Sequence, residues 1–481
     1  MKNGIAFGPS GWRGMVSDDC TEENVARIAH AFIRYLFQQH PSAEIFTVAI
    51  GFDGRTGSRE FASLIAKVLA ENGVDVLLSS GVVPTPALSF ATLHNGCTSG
   101  IMVTGGDLPS EYNGIEFKGA YGGPFTSEAT AKVETLLSNI IQEPTGPSSP
   151  SKKEIIPADF LPDYLSHLET IIDLSALRSF AENPRNNANV LIDSMGGAGQ
   201  TIIEDILVGC GWRAQTLFGT PESRFFDRRP ESVPMNLGAL KYNVAVVDAQ
   251  FGIATDGDGS RCGLVYNDGE WMNTQDTMLA LAWHLHDQRG WRGSILKSAA
   301  MTDKVKRLCN TWKIPPVDLG FGSGVEEMLK SEWLLGVKGM GGFCYGRHIP
   351  ECDGILSSLF VAEMIAMSVK PLHKIIREIW NTVGCVYCDS IDMKYNASSA
   401  NQAIKGILNS PPKDLTSIGK YHMEKYESKG KIFGLKFQWG DCRWLLIEFS
   451  PFEPAARLHY EGGSKEDVLT ILEAGMKCFK T

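Results

Sequence analysis

Three times along this chain one succession returns: a short apolar run, a stretch with apolar residues at helical spacing, and a second short run. The first copy is Phe46-Thr47-Val48-Ala49-Ile50, then residues 60–72, then Val74-Asp75-Val76-Leu77-Leu78. The second is Val190-Leu191-Ile192-Asp193, a helix over 199–210 and a strand at Arg213-Ala214-Gln215-Thr216-Leu217. The third lies within 293–335. Strands alternating with helices of this length call for crossover connections, so each copy predicts an α/β unit built on parallel strands.

A chain of 481 residues exceeds what one core organises, and three or four domains with a cleft between them are expected. The Pro-, Ser- and Gly-rich segment Gln142-Glu143-Pro144-Thr145-Gly146-Pro147-Ser148-Ser149-Pro150-Ser151 predicts a linker after the first unit. From about Pro371 the pattern changes to a helical run over 372–382, strand-like stretches such as Lys431-Ile432-Phe433-Gly434-Leu435-Lys436-Phe437, and a closing helix over 465–477. That is the pattern of a smaller α+β module with mostly antiparallel pairing. The division expected is 1–142, 153–265, 266–370 and 371–481.

The net charge of −10 is spread along the chain without a long Lys or Arg run, which argues against a nucleic-acid partner. Neither a secretory leader nor an 18-residue apolar stretch is present, so a cytoplasmic protein without membrane spans is expected. Eleven cysteines, an odd number, suggest reduced thiols rather than a disulfide framework. Cys385-Val386-Tyr387-Cys388 has no second pair to complete a metal site and reads as two incidental thiols in a strand.

A series of short motifs carries more information. Phe7-Gly8-Pro9-Ser10-Gly11-Trp12-Arg13-Gly14 opens the chain, followed by Gly51-Phe52-Asp53-Gly54-Arg55 with Ser58, and by Pro84-Thr85-Pro86 with Leu88-Ser89-Phe90-Ala91. Then come Asp193-Ser194-Met195 with Gly197 and Gly199, Gly252-Ile253-Ala254-Thr255-Asp256-Gly257-Asp258, and His348-Ile349-Pro350-Glu351 with Asp353-Gly354-Ile355. In this order, over nearly the whole length, they resemble the α-D-phosphohexomutases, the phosphoglucomutase and phosphomannomutase superfamily. The resemblance implies a heart-shaped, four-domain fold: three similar α/β domains with mixed sheets, a smaller α+β C-terminal domain, and an active site in the central cleft.

The chemistry implied is phosphoryl transfer through a phosphoserine, a Mg²⁺ and donors that grip phosphate. The loops that would supply them depart from the family pattern. The serine loop T-A-S-H-N-P is Thr104-Gly105-Gly106-Asp107-Leu108-Pro109, which puts Gly106 at the phosphoserine position, and the family Lys downstream is Glu116. Asp107 and Glu116 would confront an anionic substrate with the wrong charge. Thr104 and Ser110 carry nearby hydroxyls but read as a strand-end Thr and a turn Ser.

The metal loop D-G-D-x-D-R is Asp256-Gly257-Asp258-Gly259-Ser260-Arg261. Asp256, Asp258 and Ser260 would hold Mg²⁺ weakly at best. The sugar-loop Glu and Ser align with Lys338 and Met340, and the upstream G-F-K motif with Gly320-Phe321-Gly322. The phosphate clamp R-P-S-G-T-E-P becomes Glu448-Phe449-Ser450-Pro451-Phe452-Glu453-Pro454, with Arg457 downstream. Arg13, Asp256, Asp258 and Arg261 match the family yet can equally brace loops.

Two readings follow. One is a pseudoenzyme that binds a protein partner or a carbohydrate-like ligand without mutase activity. The other is a repurposed or weakened enzyme that acts on an atypical carbohydrate-like substrate, with Asp107, Glu116, Lys338 and Glu448 as new polar groups, or with Cys262 and Cys344 as thiols in a variant of the same idea. Buried free cysteines are more often small apolar side chains.

Overall fold

The computed structural model describes the chain apart from residues 1–4, 6, 9, 10, 17, 44, 139–151, 320–323, 340, 395–399, 429, 430, 441, 451–454, 480 and 481. The linker stretch, the 320–322 glycine motif, Met340 and residues 451–454 of the clamp segment thus lie, wholly or largely, outside the described residues.

The first sheet has seven strands: β1 (Gly11–Met15), β2 (Thr47–Phe52), β3 (Asp75–Ser79), β4 (Ser99–Val103), β5 (Tyr112–Gly119), β6 (Gly123–Pro124) and β7 (Ile155–Ala158). The second holds β8 (Asn189–Asp193), β9 (Arg213–Leu217), β10 (Phe251–Thr255), β11 (Cys262–Tyr266) and β12 (Trp271–Met272). The third holds β13 (Ser294–Lys297), β14 (Pro316–Asp318), β15 (Trp333–Lys338) and β16 (Gly342–Tyr345).

One path runs through all three. It reads β5-β4-β2-β3 in the first, β11-β10-β8-β9 in the second and β16-β15-β13-β14 in the third. In each, three strands are parallel and the end strand turns back antiparallel on its neighbour. The turn into that strand comprises residues 104–111, 256–261 and 339–341. The serine, metal and sugar loops of the motif analysis therefore occupy one topological position in three copies of one unit.

The central strands are buried from end to end, as in β4 (Ser99–Val103) and β10 (Phe251–Thr255), because helices cover both faces. In Glu22–Gln39 the spacing of Val25, Ile28, Ala29, Phe32, Ile33 and Leu36 makes one apolar face, and Thr21 caps the start by accepting the Asn24 N–H. The fourth sheet, β17 (Tyr387–Lys394), β18 (His422–Ser428), β19 (Lys431–Gln438), β20 (Trp444–Phe449) and β21 (Ala455–Gly462), is antiparallel throughout, in the order β17-β21-β20-β19-β18. Helix Leu372–Val383, expected to open the last module, instead joins the core shared by the second and third units through Leu372, Ile375, Ile376, Ile379 and Val383.

Helix Gly354–Ser368 is buried on every side from Gly354 to Ala366. No single helix among the described residues is long and apolar enough to cross a membrane. This helix and Leu372–Val383 are apolar together, but they meet at an 85° bend and their apolar residues fill the core.

Inside the buried helix Glu363 accepts from His284 Nε2 (2.9 Å), Arg289 Nη1 (2.6 Å) and the Asp173 N–H (2.6 Å), joining three segments. Removing one member of such a pair strands the other charge, so Glu363→Ala is expected to cost about 3 kcal/mol. The check is a lowered midpoint in urea unfolding, with Leu469→Ala on the exposed surface as the control that shifts little.

Candidate functional site

Strand β2 ends in Asp53, whose buried carboxylate accepts from the hydroxyls of Ser58 and Thr104, both at 2.7 Å, and from Arg55 Nε at 3.0 Å. Arg55 then directs its remaining donors to the carbonyls of Gly106 (2.6 Å), Leu108 (2.9 Å), Pro109 (2.8 Å) and Tyr112 (3.0 Å). The Phe225 ring covers it, with 4.7 Å from guanidinium carbon to ring centroid. A Cβ at Gly105 would lie 2.7 Å from Arg55, so glycine is needed there. Gly106 differs: it adopts φ +62°, donates its N–H to Thr104 Oγ1 (2.9 Å), and a Cβ built on it meets nothing within 4 Å. The loop apex thus faces open space with no side chain. Thr104 is committed in both directions, and the Ser110 hydroxyl lies 3.5 Å from Glu111 at the exposed edge.

Asp107 leans across to the second unit, where Arg261 Nη1 donates to its carboxylate at 2.7 Å and Arg229 Nε to its carbonyl at 3.1 Å. Burial pushes the Asp107 carboxyl up, but Arg261, Arg229 and Arg457 outweigh it and hold it at about 2. The two turns touch, since a Cβ on Gly257 would come 2.7 Å from the Gly106 carbonyl.

Glu116 and Lys118 are alternate residues of β5 and share a face. Glu116 pairs with Arg13 and, at 2.7 Å, with Lys118, and Lys118 also binds Glu351 of the third unit at 2.6 Å. Burial raises the Glu116 carboxyl, yet Lys118 and Arg13 win and hold it far below the usual range. The two acidic groups expected to face a substrate as uncompensated charge are therefore neutralised inside the protein. Lys338, at the end of β15, lies among Cys352, Cys344 and Glu351, which together raise its ammonium against the effect of burial.

In the fourth sheet Glu448 and Arg457 are opposed in register on β20 and β21. Glu448 accepts from His459 Nε2 at 3.2 Å. Arg457 binds Asp392 through two nitrogens (2.6 and 2.8 Å) and Glu231 of the second unit at 2.7 Å, and Glu231 also lies 3.2 Å from Arg229. The Ser450 N–H donates to the Ala455 carbonyl at 3.0 Å.

Mg²⁺ asks for a near-octahedral set of hard oxygens. Here each carboxylate oxygen of the second turn already accepts a protein donor: Asp256 from the Arg261 N–H (2.9 Å) and the Ser260 hydroxyl (3.3 Å), Asp258 from the Ser260 N–H (3.2 Å) and the Thr85 hydroxyl (2.7 Å). Burial, with neighbouring negative charge second, raises both carboxyls. Among the described residues no group of three or more His, Cys, Asp or Glu converges as a metal set. These residues do not fit a resident Mg²⁺.

Three family descriptions match in succession: "Phosphoglucomutase/phosphomannomutase, alpha/beta/alpha domain" I over residues 4–144, II over 162–269 and III over 273–383. The chain belongs to the α-D-phosphohexomutase superfamily. It is 26% identical to a protein of Methanobrevibacter smithii named "Probable phosphoglucosamine mutase", covering 98% of each chain. It is 25% identical to "Phosphoglucomutase/phosphomannomutase" of Thermococcus kodakarensis, again over 98% of each. Among solved structures, a Thermus thermophilus protein described as a phosphomannomutase superposes over 100% of both chains, with TM-score 0.82 and 27% identity. The phosphohexomutase architecture is thereby established, with three mixed α/β sheets and a fourth, sheet-rich domain.

Sequence reading missed the residues that neutralise this phosphohexomutase cleft. Lys118 was accessible, being two positions past Glu116 on a strand. Glu231, Asp392 and Glu351 carry no local signal, because their partners are Arg457 and Lys118, hundreds of residues away in two of the three cases.

The Asp107 carboxyl is depressed from 3.8 to about 2, so its contribution is full above pH 4 and is lost as pH falls through 2. Asp107→Asn is expected to lower stability at pH 7 by about 2 kcal/mol. Urea midpoints measured from pH 7 to 2.5 should show the gap between wild type and variant narrowing only below pH 4.

Proposed function

We propose that this phosphohexomutase-superfamily protein lacks phosphoglucomutase and phosphomannomutase activity and serves a binding or regulatory role. Its partner would be a protein or a carbohydrate-like ligand. One observation carries the reading: Gly106, which the motif register aligns with the phosphoserine, presents no nucleophile to the cleft, and the nearest hydroxyl, on Thr104, is held by Asp53 and the Gly106 N–H. Phosphoryl transfer by this route needs an oxygen that can accept and return the group.

The charge pattern supports the same reading. Arginines suited to a phosphate dianion already hold protein carboxylates, Arg261 on Asp107 and Arg457 on Glu231 and Asp392. A phosphate would have to displace those carboxylates, each paired at or below 2.8 Å. The same pairing weakens the case for a repurposed catalytic set, since Asp107, Glu116 and Glu448 are all occupied by cationic or imidazole neighbours.

The test is conversion of the 1-phosphates of glucose, mannose and glucosamine, with Mg²⁺ and the matching bisphosphate, by wild type and by Gly106→Ser. Both are expected to stay at the preparation blank, and intact mass should show no phosphoryl adduct on wild type. Turnover by wild type would overturn the proposal. Turnover by the serine variant alone would confine the loss to one residue and contradict the claim that the charge pattern is also incompatible.

A further inference from the structure

On the face of the third sheet that carries Lys338, strands β15 and β16 pair Lys338 with Gly342 and Gly336 with Cys344. Gly342 has no side chain, and the space is used: its Cβ position lies 3.1 Å from the sulfur of Cys352. Cys352 thereby reaches across to Cys344, sulfur to sulfur at 3.1 Å. Both sulfurs are in an apolar cluster with Leu296, Leu319 and Met328, with Cys344 fully buried and Cys352 6% exposed. The Lys338 ammonium is the nearby cation.

We propose that Cys344 and Cys352 are a redox pair that a peroxide converts to a reversible disulfide, with Cys352 the attacking thiol and Cys344 the resolving one. The Cys352 thiolate attacks one peroxide oxygen, the O–O bond breaks, and the leaving hydroxide takes a proton and departs as water. The Cys344 sulfur then attacks the sulfenic acid, the S–S bond forms, the S–O bond breaks, and a second water leaves with the Cys344 proton. The two thiols lose two electrons and the peroxide gains them.

The assignment of roles follows from the surroundings. A hydrogen bond from Cys344, aided by Lys338, lowers the Cys352 thiol, whereas burial raises those of Cys344, Cys20, Cys97 and Cys262. Closing the bond to about 2.05 Å requires the sulfurs to approach by roughly 1 Å, which the turn between them can supply.

The bond would fix a segment with interdomain duties. Glu351 binds Lys118 at 2.6 Å and Ser89 at 3.1 Å, both in the first unit, and also accepts the Cys352 N–H at 3.1 Å. Tethering Cys352 to β16 therefore anchors the Glu351 contact to the third sheet.

The test uses the folded full-length protein and hydrogen peroxide. Trypsin separates the two cysteines at Arg347, so the disulfide joins two tryptic peptides that reductant releases. Wild type is expected to give that joined pair before exposed Cys385 is consumed, and Lys338→Met to give it about tenfold more slowly. In Cys344→Ser, dimedone should label Cys352, since the sulfenic acid has no resolving thiol. Cleavage of the native protein at exposed Arg347 should slow several-fold on oxidation. Peroxide that oxidises Cys385 while Cys344 and Cys352 remain reduced would overturn the proposal, as would dimedone labelling confined to other cysteines. Unchanged cleavage at Arg347 would refute the anchoring.

Discussion

One buried guanidinium organises the turn on which any reading of this protein depends. Arg55 sits wholly out of solvent beside Asp53 and supplies hydrogen bonds to four carbonyls between Gly106 and Tyr112. Backbone carbonyls at a tight turn cannot bond one another, and burying them unpaired costs about 1–3 kcal/mol each. A single five-donor fork resolves the problem for the whole turn. None of those bonds involves the side chain at 106. The turn can thus keep its shape with glycine at its apex, which explains how a cleft of this architecture persists without a nucleophile.

The threefold repeat of topology then decides what such turns meet. Because residues 104–111, 256–261 and 339–341 all follow the last parallel strand of their sheets, the three units can converge on one region. Convergence of charged turns is costly unless every charge finds a partner. Here Asp107 meets Arg261, Glu116 meets Arg13 and Lys118, Lys118 meets Glu351, and Arg457 meets Glu231. Each pair except Glu116 with Arg13 and Lys118 crosses between sheets. The protein supplies from its own side chains the counter-charges that a bound anion would otherwise bring, so the assembled cleft is electrostatically complete in itself.

Much of this architecture was legible in the order of residues, because it rests on local signals. The strand at Arg213–Leu217 and the helix at Lys465–Lys477 fall where periodicity places them, the helix starting at the Ser464 cap. The helix expected over 199–210 begins only at Ile202, because Gln200 takes φ +46° and its carbonyl accepts the Ser194 hydroxyl, a turn that apolar spacing does not encode. The site was legible as a set of missing groups: glycine at 106, serine at 260, glutamate at 448. What replaced them was not, since charge compensation is a property of distance in space. Asp107 reads in sequence as a repulsive carboxylate and in the fold as half of an ion pair.

The same distinction separates Cys344 from the other cysteines. In sequence Cys344 and Cys352 are two of eleven, eight positions apart, and the glycine that makes room between them lies on the strand, two residues before Cys344. Only the pleat puts Gly342 and Cys344 on one face and thereby opens a path for the Cys352 sulfur. The segment that carries Cys352 is also short of slack. Asp353 caps helix Gly354–Ser368 through the Leu356 N–H and accepts from Tyr164 and His348, while Glu351 is held by Lys118 and Ser89. With both neighbours of Cys352 fastened, a covalent bond at this residue cannot be absorbed by a floppy loop. Whatever displacement it imposes must pass to the Glu351–Lys118 pair on one side or to the helix cap on the other.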